Sequence, residues 1–357
     1  MHNDERKRLF EKVDIKSAKL PWYTQEYIER SKRKRSPNTL LNYCLDYIAF
    51  FDWLLLEGFY PSGDRREIPI EVLENLRVAD VESFGDHLRF KYGNSEDTVA
   101  RKFASLKSLF HYLSQIAEDE NNYPYLKRNV MSKITADKQK LTVQEKANRI
   151  ENKILLDDEI FDFRLFIAEG FEATCNGNKR IINSYLKNKE RDLALVSLIL
   201  GSGVRISEAI SLDLDDIDSI KATISVTRKG NKKDLVTISN IALQDLQAYL
   251  SIRKSRYRIM DQQKAVFLSL PTGPNGSVNR MTVRAAQKML ERYVNSFGKP
   301  ALTIHKLRHT FATKFHKENN DLAQLMEQLG HADMNTTMIY THIGNEDRRQ
   351  SVNKADS

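Results

Sequence analysis

Two long stretches in the first third of the chain have apolar residues at every third or fourth position, and this spacing predicts packed helices. In SPNTLLNYCLDYIAFFDWLLLEG, Ser36 is the predicted N-cap, Pro37 takes the first helical position and Gly58 ends the helix. The stretch DTVARKFASLKSLFHYLSQIA has the same spacing, and shorter helical patterns occur near Trp22–Arg30 and Val78–Phe90. Together these patterns predict a bundle of about four helices.

The rest of the chain predicts further helices and one β-hairpin. In ATISVTRKGNKKDLVTIS, Ile224 and Val226 alternate on one arm, Val236 and Ile238 alternate on the other, and a basic, turn-rich tip lies between them. The helical patterns of this part are Asp192–Leu200, Leu243–Arg253, Val283–Asn295 and Lys306–Lys317. The predicted fold class is therefore mostly α with a small antiparallel β-sheet.

The length of the chain predicts two domains, since 357 residues are enough to bury a core in each. Residues 132–153, SKITADKQKLTVQEKANRIENK, contain no Gly, Pro or aromatic residue, which is typical of a polar, partly helical connector. We expect a helical domain at 1–131, a linker at 132–165 and a second domain at 166–357.

The charge of the chain favours a nucleic-acid partner. Lys and Arg outnumber Asp and Glu by 56 to 48, and basic side chains bind nucleic acid by neutralising phosphates. A merely basic soluble protein is the alternative. The densest positive run, SKRKRSP, precedes the first long helix. It is either a solvated surface or a helix start that contacts phosphate.

The sequence also predicts a cytoplasmic protein without a membrane span. No stretch approaches the roughly 18 uninterrupted apolar residues that a span needs. The charged beginning, MHNDERKRLFEKVD, lacks the apolar segment of a secretory signal. The two cysteines, Cys44 and Cys175, are far apart in sequence and fit a reducing cytosol.

The stretch HKLRHTFATKFH places His305, Arg308 and His309 on one side of a helix, next to an apolar face. The two histidines have the HxxxH spacing of zinc proteases, but Lys306 takes the place of the catalytic Glu and Arg308 adds a second cation. We therefore expect no metal. An anion is a natural partner for Arg308, because a guanidinium forks onto phosphate or carboxylate oxygens. A structural ion pair and a hydrogen-bonded core histidine are the alternatives.

Three other segments contain candidate site residues. Arg205 follows a Gly-Ser-Gly turn and is placed to pair with Glu208, a pair that is also common as a structural feature. Lys229 lies in the basic hairpin tip, which is either solvated or inserted into a DNA groove. His331 follows the helix stop Leu-Gly, and Tyr340 comes nine residues later in a position that also suits a core tyrosine.

Read together, these residues resemble the tyrosine recombinase (phage integrase) family. The resemblance rests on GVRISE at 203–208, KGNK at 229–232, HKLRH at 305–309 and LGH at 329–331, followed by Tyr340. It is strongest over residues 190–345. Within the family the chain is most similar to Xer recombinases of the single-protein XerS type, on the stretches PWY at 21–23, RNVM at 128–131, NKERDLAL at 188–195 and VTRKG at 226–230.

The resemblance implies a fold and a mechanism. The fold is a SAM-like helical core-binding domain followed by an α+β catalytic domain. Tyr340 would attack the scissile phosphate and form a 3′-phosphotyrosyl bond, while Arg205 and Arg308 bind the non-bridging oxygens. Lys229 would protonate the departing 5′ oxygen. His305 would assist proton transfer at Tyr340, His331 would bind the phosphate, and no cofactor is needed.

The resemblance also implies partners and a biological role. The expected partners are double-stranded DNA with a specific short recombination site, three further copies in a homotetramer on two duplexes, and an FtsK-type DNA translocase. The expected role is resolution of chromosome dimers at a dif-like site, in chromosome partition and cell division. The alternatives are an integrase or excisionase of a phage or conjugative element, a type IB topoisomerase and a non-catalytic DNA-binding regulator. The complete set of six residues argues against the last.

Overall fold

The computed structural model of the chain describes residues 3–61, 63–135, 142–228, 232–259, 262–270, 277–330 and 337–342. These residues divide into two compact units, with the boundary between residues 140 and 141. The helices of the first unit are α1 (Asn3–Ser17), α2 (Trp22–Ser31), α3 (Pro37–Leu56), α4 (Ile70–Asn75), α5 (Val78–Asp86) and α6 (Glu96–Gln115).

The prediction of about four helices in this part is wrong, because α1 and α4 were not expected. Among the α1 residues whose burial the structure describes, Val13 is the one fully buried apolar residue, with Phe10 packed beside it. This helix therefore has too few apolar residues to show a strong period. Helix α4 has six residues, fewer than two turns, and buries Leu73 alone. Tertiary packing rather than the local pattern therefore supports both helices.

Helix α3 forms the centre of the first core. Its predicted start is confirmed, since the Ser36 hydroxyl accepts a hydrogen bond from the Thr39 backbone N–H at 3.2 Å. Among the described helices, α3 is the one long and apolar enough to cross a membrane, a test that core helices also meet. Its aromatic residues pack inside the first unit, and the fully buried ones include Tyr47, Phe50 and Phe51. This packing explains the apolar composition of α3.

Part of the basic run before α3 has a structural role. Lys32 pairs with two carboxylates at 2.6 and 2.5 Å. The Arg35 guanidinium donates to the Tyr43 hydroxyl at 3.1 Å and to the Ser108 hydroxyl at 2.9 Å. Arg33 and Lys34 are exposed. The two alternatives for this basic run, a solvated surface or a contact with phosphate, therefore apply mainly to Arg33 and Lys34.

The second unit is also mostly helical. Its helices are α7 (Val143–Glu151), α8 (Glu159–Leu165), α9 (Lys179–Ser202), α10 (Ile206–Ser211), α11 (Asn240–Tyr257), α12 (Val283–Ser296), α13 (Ile304–Asn319) and α14 (Leu322–Leu329). Its strands are β1 (Ile217–Asp218), β2 (Thr223–Thr227), β3 (Lys233–Thr237), β4 (Leu268–Ser269) and β5 (Asn279–Arg280). Helices α7 and α8, which lie within the expected linker 132–165, belong to this unit.

The predicted fold class is confirmed. All strand pairs are antiparallel, in a three-stranded sheet β1-β2-β3 and a two-stranded sheet β4-β5. The predicted hairpin is formed by β2 and β3, with Ile224 opposite Val236 and both residues buried. The tip of the hairpin, residues 229–231, lies outside the described residues.

Helix α9 crosses the second core and contains a buried ion pair. It packs against α11 and α13. The Arg191 guanidinium donates to Asp192 Oδ1 at 2.8 and 2.6 Å and to the Leu268 carbonyl at 2.8 Å. The Tyr293 hydroxyl donates to Asp192 Oδ2 at 3.0 Å. One carboxylate therefore connects α9 with α12, and its arginine partner connects α9 with β4.

Replacing Asp192 by Asn should destabilise the second unit by about 3–5 kcal/mol, because Arg191 then keeps a buried charge without a counter-ion. Chemical denaturation followed by circular dichroism measures this loss, since both tryptophans, Trp22 and Trp53, lie in the first unit. The matched control is Asp215→Asn, which removes an exposed pair with Lys264 and should leave the free energy of unfolding near the wild-type value. Equal stability of the two variants would contradict the structural importance of the buried pair.

Candidate active site

Arg205 and Glu208 form the first part of the site, at the start of α10. The Arg205 backbone N–H donates to Glu208 Oε2 at 2.8 Å, and its guanidinium donates to Oε1 at 2.9 Å. The pairing predicted from the sequence is confirmed. The Glu208 side chain is 5% exposed and that of Arg205 is 36% exposed. A buried carboxylate therefore holds a guanidinium that reaches the surface.

Arg308, on α13, is held by the ends of two other helices. Its guanidinium donates to the carbonyl of Gly203 at 2.6 Å and to the carbonyl of Leu329 at 2.8 Å, just after α9 and at the end of α14. The last carbonyls of a helix have no partner within the helix, so cations bind there readily. Burial, and then the charge of Arg205, lower the pKa of Arg308 to about 10. Arg308 therefore remains charged at neutral pH.

Gly203 allows this close approach. Its φ of +70° is left-handed, and a Cβ at this position would lie 2.4 Å from Phe311 Cδ1 and 2.7 Å from Leu329 Cδ2. A side chain at position 203 would thus push α13 and α14 away from the end of α9. The Gly203 carbonyl can reach Arg308 because no side chain separates these elements.

Tyr340 lies in a short 3-10 helix, Met338–His342, that packs against α7 and α13. The residue is 3% exposed and contacts an apolar cluster that includes Leu325 and Leu329. Burial raises the pKa of its phenol to about 12, while Arg308 and Arg205 act in the opposite direction. The phenol is therefore protonated at neutral pH and lies within the electrostatic influence of both arginines.

The histidine next to the phenol is His309. The Tyr340 hydroxyl and His309 Nδ1 are 2.8 Å apart, a hydrogen-bond distance. The sequence pattern places His309 on the same side of the helix as His305 and Arg308, but not among the six predicted site residues. The feature of the sequence that could have indicated a role for His309 is its position one turn after His305 on the same helix face. In the structure the two histidine rings stand edge to face, with centroids 5.4 Å apart. The structure thus adds His309 to the residues of the site.

His305 lies beside the two arginines. Partial burial, and then the positive charges of Arg308, Arg205 and Lys306, lower the pKa of His305. An imidazole with a lowered pKa is neutral at pH 7 and can accept a proton.

Four of the six predicted site residues therefore come together in the second unit: Arg205, His305, Arg308 and Tyr340. The other two, Lys229 and His331, lie outside the described residues, although Arg228 and Gly330 beside them are described. Within the part of the chain that the structure describes, no group of three His, Cys, Asp or Glu residues is placed to hold a metal ion.

Comparison with known proteins identifies the family. The model of the phage integrase family matches residues 176–347. Two XerS tyrosine recombinases, from Streptococcus gordonii and Streptococcus sanguinis, are each 38% identical to the chain, with 98% of the chain and 99% of each relative aligned. The chain belongs to the tyrosine recombinase family. Enzymes of this family break and rejoin DNA strands, so the predicted family and enzyme class are confirmed.

A solved structure of another tyrosine recombinase supports the fold. The XerH site-specific recombinase, in a post-cleavage complex with a palindromic difH substrate, matches with a TM-score of 0.65 and 20% identity. The alignment covers 98% of this chain and 95% of the XerH chain. Both units of the chain therefore have counterparts in a recombinase of known structure.

Replacing His309 by Ala should slow covalent attachment to DNA about 5- to 10-fold, because a buried phenol loses the hydrogen bond that places it. The rate is measured in a single turnover, with DNA binding measured separately and expected to be unchanged. The control on the same helix is His316→Ala, since His316 Nδ1 has no hydrogen-bond partner among the described residues. A His309→Ala enzyme as fast as His316→Ala would show that the Tyr340 contact has no part in the reaction.

Proposed function

We propose that this recombinase resolves chromosome dimers at a short dif-like site in the cytoplasm during cell division. The near full-length identity to XerS recombinases supports this role over that of a mobile-element integrase. The chemical part of the proposal rests on one observation: Tyr340, Arg205 and Arg308 come from three separate segments and lie close enough for both arginines to act on the phenol.

Tyr340 is the proposed nucleophile. Its Oη forms a bond to the scissile phosphorus, the bond from phosphorus to the 5′ oxygen breaks, and the DNA strand stays attached through a 3′-phosphotyrosyl link. Lys229 gives a proton to the departing 5′ oxygen. The phenolic proton goes to His305, the base implied by the family resemblance, while His309 holds the phenol at 2.8 Å.

The two arginines are the proposed phosphate clamp, a term used here for Arg205 and Arg308 together. Their guanidinium groups bind the non-bridging oxygens while negative charge develops, and His331 adds a hydrogen bond. Each such contact contributes about 2–4 kcal/mol of transition-state stabilisation by comparison with other oxyanion donors. A protonated Tyr340 and a neutral His305 suit this step, because the phenol must lose its proton as it attacks.

We also propose the assignment of the two units and the assembly. The first unit is the SAM-like DNA-binding domain, and the second is the catalytic domain. The partners are double-stranded DNA and three further copies in a tetramer on two duplexes, with an FtsK-type translocase as activator. The XerH complex supports the DNA partner, since that protein is bound to its difH substrate.

Cells that make the wild-type enzyme should contain protein–DNA adducts at one short near-palindrome beside the replication terminus. The adducts are trapped, digested and sequenced, with Tyr340→Phe as the matched control that removes only the nucleophilic oxygen. We expect Tyr340→Phe to bind DNA and to form no adduct. Adducts at the ends of a mobile element would show an integrase, and scattered adducts would show a topoisomerase. No Tyr340-dependent adduct despite DNA binding would contradict the catalytic proposal.

A further inference from the structure

Arg228, directly after β2, has three partners from different parts of the second unit. Its guanidinium donates to Glu208 Oε2 at 3.0 Å, to Asp234 Oδ2 at 3.0 Å and to the Gln328 carbonyl at 2.9 Å. The side chain is 9% exposed. One largely buried arginine thus joins α10, β3 and the last turn of α14, which all meet at the site.

The backbone at Gly330 lies very close to the side chain of Arg228. A Cβ at position 330 would lie 2.6 Å from Arg228 Nε and 2.8 Å from its Cζ. Gly330 also has a left-handed φ of +61° and caps the end of α14. The left-handed φ and the close approach therefore both favour glycine at position 330, where the guanidinium lies between α10 and α14.

Glu208 is shared by two arginines. The Arg205 backbone N–H and the Arg228 guanidinium both bind Oε2, which leaves Oε1 to the Arg205 guanidinium at 2.9 Å. Arg228 thus helps to hold Oε2 in place, while Oε1 faces the Arg205 guanidinium. The positive charge of Arg228 also offsets part of the negative charge of Glu208. The net potential near Arg205 is therefore more positive and attracts an incoming anion more strongly.

We propose that Arg228 is a positioning residue that holds Glu208 and thereby aims Arg205 at the scissile phosphate. The inference rests on the proposed role of Arg205 in the phosphate clamp. Arg228 itself does not touch DNA in this mechanism. Its removal should slow cleavage through Arg205 while most of the binding energy for DNA remains.

The fold should survive the loss of Arg228, because a neighbouring side chain also ties α14 to β3. The Gln328 amide donates to the Ser202 carbonyl at 2.9 Å and to the Thr237 carbonyl at 2.7 Å. These bonds join α14 to the end of α9 and to β3 independently of Arg228. Arg228→Met, which keeps much of the aliphatic volume, is therefore the main test variant.

Arg228→Met should slow single-turnover covalent attachment on the order of 100-fold, the effect of misplacing a catalytic group by about 1 Å. The rate of Arg228→Lys should lie between those of the wild type and Arg228→Met, since lysine keeps the positive charge but lacks the forked hydrogen-bonding geometry of a guanidinium. The control is Arg253→Met. Arg253 is another buried arginine of the same unit, bound to the carbonyls of Val266 and Gln263 away from Glu208. This control should lower stability and keep the wild-type rate below its melting temperature.

The decisive readout uses DNA with a methylphosphonate at the scissile position. A methyl group then replaces one charged oxygen, so the reaction depends less on an arginine that neutralises this charge. If Arg228 acts through Arg205, the rate deficit of Arg228→Met shrinks strongly on this substrate, as it should for Glu208→Gln. An equal deficit on both substrates would show a general structural effect and overturn the inference.

Three further outcomes would overturn either this inference or the proposed function. A DNA with sulfur at the 5′ bridging position has a leaving group that needs no proton. Rescue of Arg228→Met by this DNA alone would place the effect at the leaving group and overturn the inference. An unchanged rate for Arg228→Met beside an active wild-type enzyme would overturn only the role of Arg228. A wild-type enzyme without Tyr340-dependent adducts would overturn the proposed function itself.

Discussion

The two hydrogen bonds of the Arg308 guanidinium are the interactions on which the rest of the site depends. The guanidinium binds carbonyl oxygens just after α9 and at the end of α14, so one side chain holds three helices together. Carbonyl groups carry no net charge, and these two bonds therefore anchor the cation without neutralising it. Arg205 is anchored differently, by a carboxylate that a second arginine shares. Both anchors preserve positive charge at the place where a phosphate would bind.

The titration behaviour of the neighbouring groups is consistent with this positive field. Burial and then the charge of Arg205 lower the pKa of Arg308. Burial and then the charges of both arginines lower the pKa of His305. The same two charges partly offset the burial that keeps Tyr340 protonated. A site of this kind is less stable alone than with a bound anion, because like charges lie close together in partly buried positions. A DNA phosphate that binds beside Tyr340 would supply the missing negative charge.

The sequence predicted the local features well and the distant contacts poorly. Long periodic helices, the β2–β3 hairpin and the Arg205–Glu208 pair depend on residues a few positions apart, so their spacing is visible in the chain. Helix α4 and the polar α1 depend on packing partners instead. The bond between His309 and Tyr340 joins residues 31 positions apart, and Arg228 reaches a carbonyl 100 positions away. Spacing in the sequence could not predict such contacts, whereas motif order could still assemble the candidate site.

The central claim is that Arg205 and Arg308 act as one phosphate clamp, already held in place by the protein. The most direct measurement is a double-mutant cycle with Arg205→Lys and Arg308→Lys in single-turnover cleavage, with folding checked for each variant. Each single change should cost on the order of 100- to 1,000-fold. The double variant should be little slower than the slower single variant, because residues that act as a unit are not additive. Losses that multiply would show two independent contacts and contradict the claim.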